Sequence, residues 1–236
     1  MIRLEHLEKR FGERTVLRDL SLDIPRGQFA ILFGPSGVGK TLLLSILAGL
    51  EPPTAGRVIL DGRDMERVPP ERRPVTMVFQ RHALFPHLSV FENVAFSLRA
   101  RGFHGASVRQ RVAELLTLTG LETFADLRTG VLSGGQCQRV AFARALASDA
   151  EIILFDEPLN SLDRDLRALL MSELKRLHRA RNFTALYVTH SVKEAVELGD
   201  RVYLLKDGHV PHTCEPREME KHICTCEHPS EGHFSP

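Results

Sequence analysis

No stretch of this 236-residue sequence is long and apolar enough to cross a bilayer. The longest mostly apolar run, Leu42 to Leu50, falls far short of the roughly 20 residues a spanning helix needs. Any membrane role must therefore come through a partner. An excess of one charge is also missing. The 31 Lys and Arg are matched by 30 Asp and Glu, no basic block stands out, and composition gives no electrostatic case for nucleic acid. Cysteine is scarce, with Cys137 alone in the body and Cys214, Cys224 and Cys226 crowded near the end. A disulfide framework would spread them through the fold, so Cys137 reads as a small buried residue in a reducing cytosol. Internal repeats and long linkers are absent. The opening Met1-Ile2-Arg3-Leu4-Glu5 is polar and alternating, which predicts no signal peptide. What remains is ordinary globular composition, 43% hydrophobic and 26% charged, suited to one α/β domain with or without a small subdomain.

Two kinds of strand are legible. Ile2, Leu4 and Leu7, and again Leu20, Leu22 and Ile24, alternate with polar residues as half-buried strands do. Ala30 to Phe33, Val75 to Phe79, Ile152 to Phe155 and Ala185 to Val188 are continuously apolar or nearly so, which suits buried parallel strands. Asp61-Gly62 and Asp207-Gly208 predict tight turns. Helical stripes fall between the strands. Val108, Val112, Leu115 and Leu116 share one face behind a capping-box pattern at Ser107 and Gln110. Leu166, Leu170, Leu174 and Leu177 share another. The region from about 87 to 148 lacks strong strands and reads as inserted helices. After Val210 the pattern stops, predicting a poorly packed His- and Cys-rich tail over 211–236.

Chemistry concentrates at two places. Gly34-Pro35-Ser36-Gly37-Val38-Gly39-Lys40-Thr41 matches G-x-x-x-x-G-K-[ST], after an apolar strand and before the helical run Leu42 to Ala48. Glycines let backbone N–H groups turn inward around phosphate oxygens, and the helix start adds its positive dipole end. Lys40 is expected to reach the β- and γ-phosphates and Thr41 to ligate Mg²⁺. Separately, Glu151 to Glu157 is an apolar strand ending in two carboxylates. Asp156 is placed to hold Mg²⁺ through water, and Glu157 to take a proton from an attacking water.

Leu132-Ser133-Gly134-Gly135-Gln136 resembles the signature sequence of ATP-binding-cassette proteins. The resemblance covers about Ile2 to Val210. It implies a P-loop NTPase core with an antiparallel β subdomain and an inserted helical subdomain. It also assigns further residues. Phe11 resembles the aromatic platform under adenine. Gln80 resembles the glutamine that senses Mg²⁺ and contacts membrane subunits. Asn160-Ser161-Leu162-Asp163 resembles the loop crossing a dimer interface, and His190 the switch histidine at the γ-phosphate. Ser133, Gly135 and Gln136 would bind the γ-phosphate held by the opposite subunit, so that two chains sandwich two ATP molecules. Two positions depart from the pattern. Phe11 stands where tyrosine is usual, which keeps stacking and loses a hydroxyl. Leu42 stands where many members have Ser or Thr on the α-phosphate, a loss of about 1.5–3 kcal/mol in nucleotide binding.

The stretch Arg73 to Val94 and the run Asp163 to Arg167 resemble binding-protein-dependent importers of iron(III), polyamines, sugars, thiamine or oxyanions. Sugar and polyamine members usually carry a long regulatory domain after the cassette, and this sequence ends before one. The resemblance implies integral membrane permease subunits, with a solute-binding protein outside the membrane and this chain on its cytoplasmic face. Gln80 and the neighbouring Arg81 to Val90 would receive a helix of the spanning subunit. An exporter ATPase and a soluble metal-responsive regulatory ATPase are the alternatives. The last is raised by His222, Cys224, Cys226 and His228, which fall on one side of an extended segment and suit Zn²⁺ or Cu(I), although the spacing is not that of a zinc finger.

Overall fold

The computed structural model describes residues 1–79, 83–100, 102–148, 150–160, 162–219 and 221. Continuous apolar runs require cover on both faces, and the central sheet supplies it. Strands β1 (Ile2–Phe11), β2 (Arg14–Ile24) and β3 (Phe29–Phe33) precede helix α1 (Lys40–Ala48). Then come β4 (Ala55–Leu60), β5 (Arg63–Asp64) and β6 (Val75–Val78), followed by helices α2 (Val90–Ala100), α3 (Ala106–Leu118) and α4 (Gly134–Ala147). The chain continues through β7 (Ile152–Asp156), α5 (Arg164–Arg181), β8 (Thr184–Thr189), α6 (Val192–Leu198), β9 (Arg201–Lys206) and β10 (His209–Cys214). One sheet has the order β2-β1-β4-β5 and is antiparallel throughout. The other has the order β10-β9-β3-β8-β7-β6, parallel except for β10.

Each buried strand divides its side chains between two cores, as a period of two demands. Phe29 and Ile31, Ile153 and Phe155, and Ala185 and Tyr187 face one cluster, shared with helices α2 to α6. Ala30 and Leu32, Ile152 and Leu154, and Leu186 and Val188 face the other, shared with α1 and the antiparallel sheet. Arg73 fastens that second layer. Its guanidinium donates to the carbonyls of Ile46 and Leu47 at the end of α1, and to those of Met65 and Val68 beyond β5. Helix-terminal carbonyls lack partners within the helix, so this arginine meets a need that α1 cannot meet itself.

Three sequence expectations are corrected. Ser107 is not a helix cap: α3 begins at Ala106 with Gly105 before it, and the Ser107 hydroxyl donates to the His104 carbonyl. The capping box stands at α4 instead, where Ser133 and Gln136 exchange side-chain and backbone hydrogen bonds of 3.3 and 2.8 Å. Cys137 is half-buried rather than buried. Pairing also runs past Val210, to Cys214 against Val202, and Met219 is fully buried. Pro211 is tolerated in β10 because an edge strand leaves one row of N–H positions unpaired.

Candidate functional site

The C-terminal ends of the parallel strands carry the polar residues that the sequence singles out. β3 ends at Phe33 and the chain enters the phosphate loop, whose Gly37 and Gly39 have φ of 79° and 109°. These angles exclude a comfortable side chain at either position. Gly34 answers a different constraint, since an added Cβ would stand 2.5 Å from the Leu205 carbonyl oxygen. Pro35, Ser36 and Gly37 are exposed, and Val38 and Gly39 half-buried. Lys40 is buried, and its ammonium donates to the carbonyls of Gly34 and Pro35, both at 2.8 Å. The loop thus closes on its own cation.

Thr41 stands in the first turn of α1 and points across to β7. Its hydroxyl donates to Asp156 Oδ1 at 3.0 Å, joining two hard oxygen donors of the kind Mg²⁺ selects. Both charges on this floor resist ionisation. Burial lowers the Lys40 pKa, against the opposing pull of Glu157 and Asp156. Burial pushes the Asp156 carboxyl up; the Thr41 bond opposes this, Glu157 adds to it, and Lys40 opposes it. Leu42, the departure noted above, packs half-buried against the second core.

Glu157 follows Asp156 with φ of 46°, left-handed backbone that costs a non-glycine residue about 1–3 kcal/mol and that clusters at functional sites. Its amide donates to the Val188 carbonyl at 3.2 Å. Its side chain is 13% exposed and stands 3.4 Å from His190 Nδ1. Asn160 donates to the other carboxylate oxygen. The backbone carbonyl of Glu157 accepts from Gln138, a buried residue on α4 that sequence reasoning missed. Its only linear signal was its place two residues past Gln136 on the same helix.

Phe11 lies at the end of β1 and remains half-exposed. The Lys9 ammonium sits 4.8 Å from its ring centroid, anchored by Glu51 and the Pro52 carbonyl. A groove of about 960 Å³ lies beside the phosphate loop, lined by Arg14, Val16, Arg18, Gly37, Val38 and Gly208 among others. Among the described residues, no hydrogen bond or ion pair links the Ser133–Gln136 turn to the phosphate loop of the same chain. Gly135 stands in the first turn of α4 beside this capped serine. Gln80, Arg81, His82 and Ser161 lie outside the described residues, as does the tail set His222, Cys224, Cys226 and His228. Among the described residues no cluster of three His, Cys, Asp or Glu is placed to hold a metal ion, and no helix is long and apolar enough to cross a membrane.

The residues fit a nucleoside triphosphate with its divalent cation. The loop offers glycines in left-handed backbone and a lysine that, among the described residues, bonds to two carbonyls, and Thr41 and Asp156 pair oxygen donors. The buried Asp156 makes a test. A carboxyl whose folded pKa lies above its ordinary 3.8 contributes most to stability below that value, and loses the contribution as pH rises through the raised one. Asp156→Asn is therefore expected to raise the melting temperature of the nucleotide-free protein at neutral pH. It should also flatten the fall in stability that the parent shows above pH 3.8. The same variant should lose the extra stabilisation that Mg²⁺-ATP gives the parent. Melting curves across pH, with and without Mg²⁺-ATP, check this; a lower nucleotide-free melting temperature in the variant contradicts it.

Comparison with known proteins returns the same region. The profile of the ABC transporter family matches residues 17–160. The spermidine/putrescine import ATP-binding protein PotA of Rubrobacter xylanophilus is 48% identical over 218 residues, which is 92% of this chain and 58% of that protein. PotA of Thermotoga maritima is 45% identical over 218 residues, 92% of this chain and 59% of that protein. The chain thus spans just under three-fifths of the length of these relatives. Among solved structures, the ATP-binding cassette MJ0796 has been seen as a dimer in a post-hydrolysis state bound to ADP and Pi. It superposes with a TM-score of 0.84 at 36% identity, covering 92% of this chain and 99% of that one.

Proposed function

The chain belongs to the ABC transporter family, and from that premise we propose that it is the ATP-binding and ATP-hydrolysing subunit of an importer, driving separate membrane subunits. One observation carries the reading. The lysine loop, the Thr41–Asp156 pair and the Glu157–His190 pair converge at one end of a parallel sheet. Gly34 to Lys40 would hold the phosphates through backbone N–H groups and the Lys40 ammonium. Thr41 and Asp156 would hold Mg²⁺ together with Gln80, and the bound cation supplies charge neutralisation on the phosphates.

Glu157 accepts a proton from the attacking water at a carboxylate oxygen, and Asn160 and His190 fix where that oxygen points. The half-exposed Phe11 offers adenine a stacking face, with Lys9 fixing the ring. Ser133 and Gly135 stand at the capped start of α4, with no hydrogen bond to their own phosphate loop among the described residues. This supports their use across a dimer, on the nucleotide of a second cassette.

Partner docking has its own support. Phe96 is an exposed aromatic packed against Phe85, the rings tilted at 48° with centroids 4.6 Å apart, in the segment following Gln80. A helix of a permease subunit on this patch would seat the chain at the cytoplasmic membrane face, with an external solute-binding protein delivering cargo. The relatives' names make spermidine and putrescine the first cargo to try. The decisive experiment co-expresses the chain with candidate permease subunits and measures cargo-stimulated phosphate release in vesicles. ATP-dependent dimerisation of the purified chain is measured by light scattering. An absence of both ATP hydrolysis and ATP-dependent association overturns the proposal.

A further inference from the structure

His190 projects from a short turn, and what holds that turn is a buried acid. Glu194 on α6 is 2% exposed, yet it has no cationic partner among the described residues. Its Oε2 accepts from the Thr189 hydroxyl at 2.7 Å and from the Tyr187 hydroxyl at 3.0 Å. Thr189 Oγ1 in turn accepts from the Ser191 amide at 3.0 Å, and Ser191 Oγ caps α6 by accepting from the Glu194 amide at 3.3 Å. The circuit runs Glu194, Thr189, Ser191 and back to Glu194, and it encloses His190. Among the described residues the histidine's own ring hydrogen-bonds to Glu157.

Tyr187 connects the circuit to the other side of the site. It lies opposite Phe155 in the β7–β8 pairing, and its neighbour Val188 receives the Glu157 amide. Burial pushes the Tyr187 hydroxyl well above its ordinary range, with the Glu194 charge and hydrogen bond adding to that, so it stays a donor. An acid buried among neutral donors is costly unless each of its bonds is kept. A site that needed only packing here would use an apolar side chain.

We infer that Glu194 is a positioning residue for the histidine switch, fixing the Thr189–Ser191 turn so that His190 stands against Glu157. This rests on the ATPase reading above, and the test separates the two. Thr189→Val keeps shape and removes the two links of the circuit that pass through Thr189. Glu194→Met removes the acceptor, whereas Glu194→Gln keeps an oxygen there. Tyr187→Phe removes one bond and leaves the circuit closed.

With Thr189→Val or Glu194→Met, kcat is expected to fall by up to about 10²-fold while ATP affinity stays within about twofold. Glu194→Gln should restore most turnover, and Tyr187→Phe should cost little. The deciding measurement repeats Thr189→Val in a His190→Ala background. A positioning role predicts no further loss there, because the group being positioned is gone. Additive losses, or a weakened ATP affinity with unchanged kcat, overturn the inference. If Glu194→Met fails to fold, Thr189→Val carries the test alone. A parent protein without ATPase activity would instead defeat the functional reading and leave this one without its premise.

Discussion

Replacing Glu157 by glutamine is expected to slow ATP turnover by about 10²–10⁴-fold while leaving ATP binding in place. The amide cannot take a proton from water. It can still accept from Asn160 and stand against His190, so the surroundings that hold the side chain are preserved. The left-handed backbone at this position accepts glutamine as readily as glutamate. The variant should therefore fold, bind ATP and stall. If two cassettes close around two nucleotides, the stall is visible as an ATP-bound dimer that the parent forms only transiently. Single-turnover phosphate release and light scattering give the two readouts. Normal turnover in the variant would remove Glu157 from the role of base, and a loss of ATP binding would show that its carboxylate serves the ground state instead.

Lys40→Ala is expected to act one step earlier. Among the described residues the Lys40 ammonium bonds to the Gly34 and Pro35 carbonyls, and burial already depresses its pKa. A phosphate oxygen is a better partner than either carbonyl, because it adds the attraction of a full negative charge to a bond whose donor is already charged. Losing such bonds should cost about 1.5–3 kcal/mol, or roughly 10–150-fold in ATP affinity. The loss should be specific to the β- and γ-phosphates, so AMP binding should change little. Calorimetric titration with ATP, ADP and AMP separates this from general damage to the loop. Equal losses for all three nucleotides would mean that the lysine shapes the loop rather than contacting phosphate.

The parts of the site that were legible in the sequence are those whose chemistry is local. Gly34 to Thr41 is contiguous, and its glycines are dictated by φ and by the approach of Leu205. Buried strands announce themselves through unbroken apolar runs, and both faces of β3, β7 and β8 are indeed covered. Gln138 was illegible because its partner, the Glu157 carbonyl, lies on another element. Glu194 was illegible because its partners, though within seven residues, meet it only once β8 has turned into α6, and a lone Glu on a helix reads as a solvated residue. Ser107 misled for the opposite reason. The pattern S-x-x-Q occurs twice, at 107 and at 133, and the backbone distinguishes them: Ser133 is extended just before α4, whereas Ser107 already lies within α3. The strand beyond Val210 was obscured by its position at the sheet edge, where alternate residues face water and proline is allowed.

The place of β3 between β8 and β9 sets a schedule for synthesis. Phe29 pairs with Ala185, and Ala30 with both Leu186 and Arg201, so the strand that carries the phosphate loop is made long before either neighbour exists. The antiparallel sheet can assemble from the first 64 residues alone, but the strand that carries the loop pairs only with β8 and β9, far along the chain, even though Lys40 closes the loop locally. Until Lys206 has left the ribosome, the nucleotide loop hangs from an apolar strand with at least one open edge. Products ending before β9 therefore carry an unpaired edge of the kind that recruits other chains, and they are directed toward aggregation or proteolysis rather than toward partial activity.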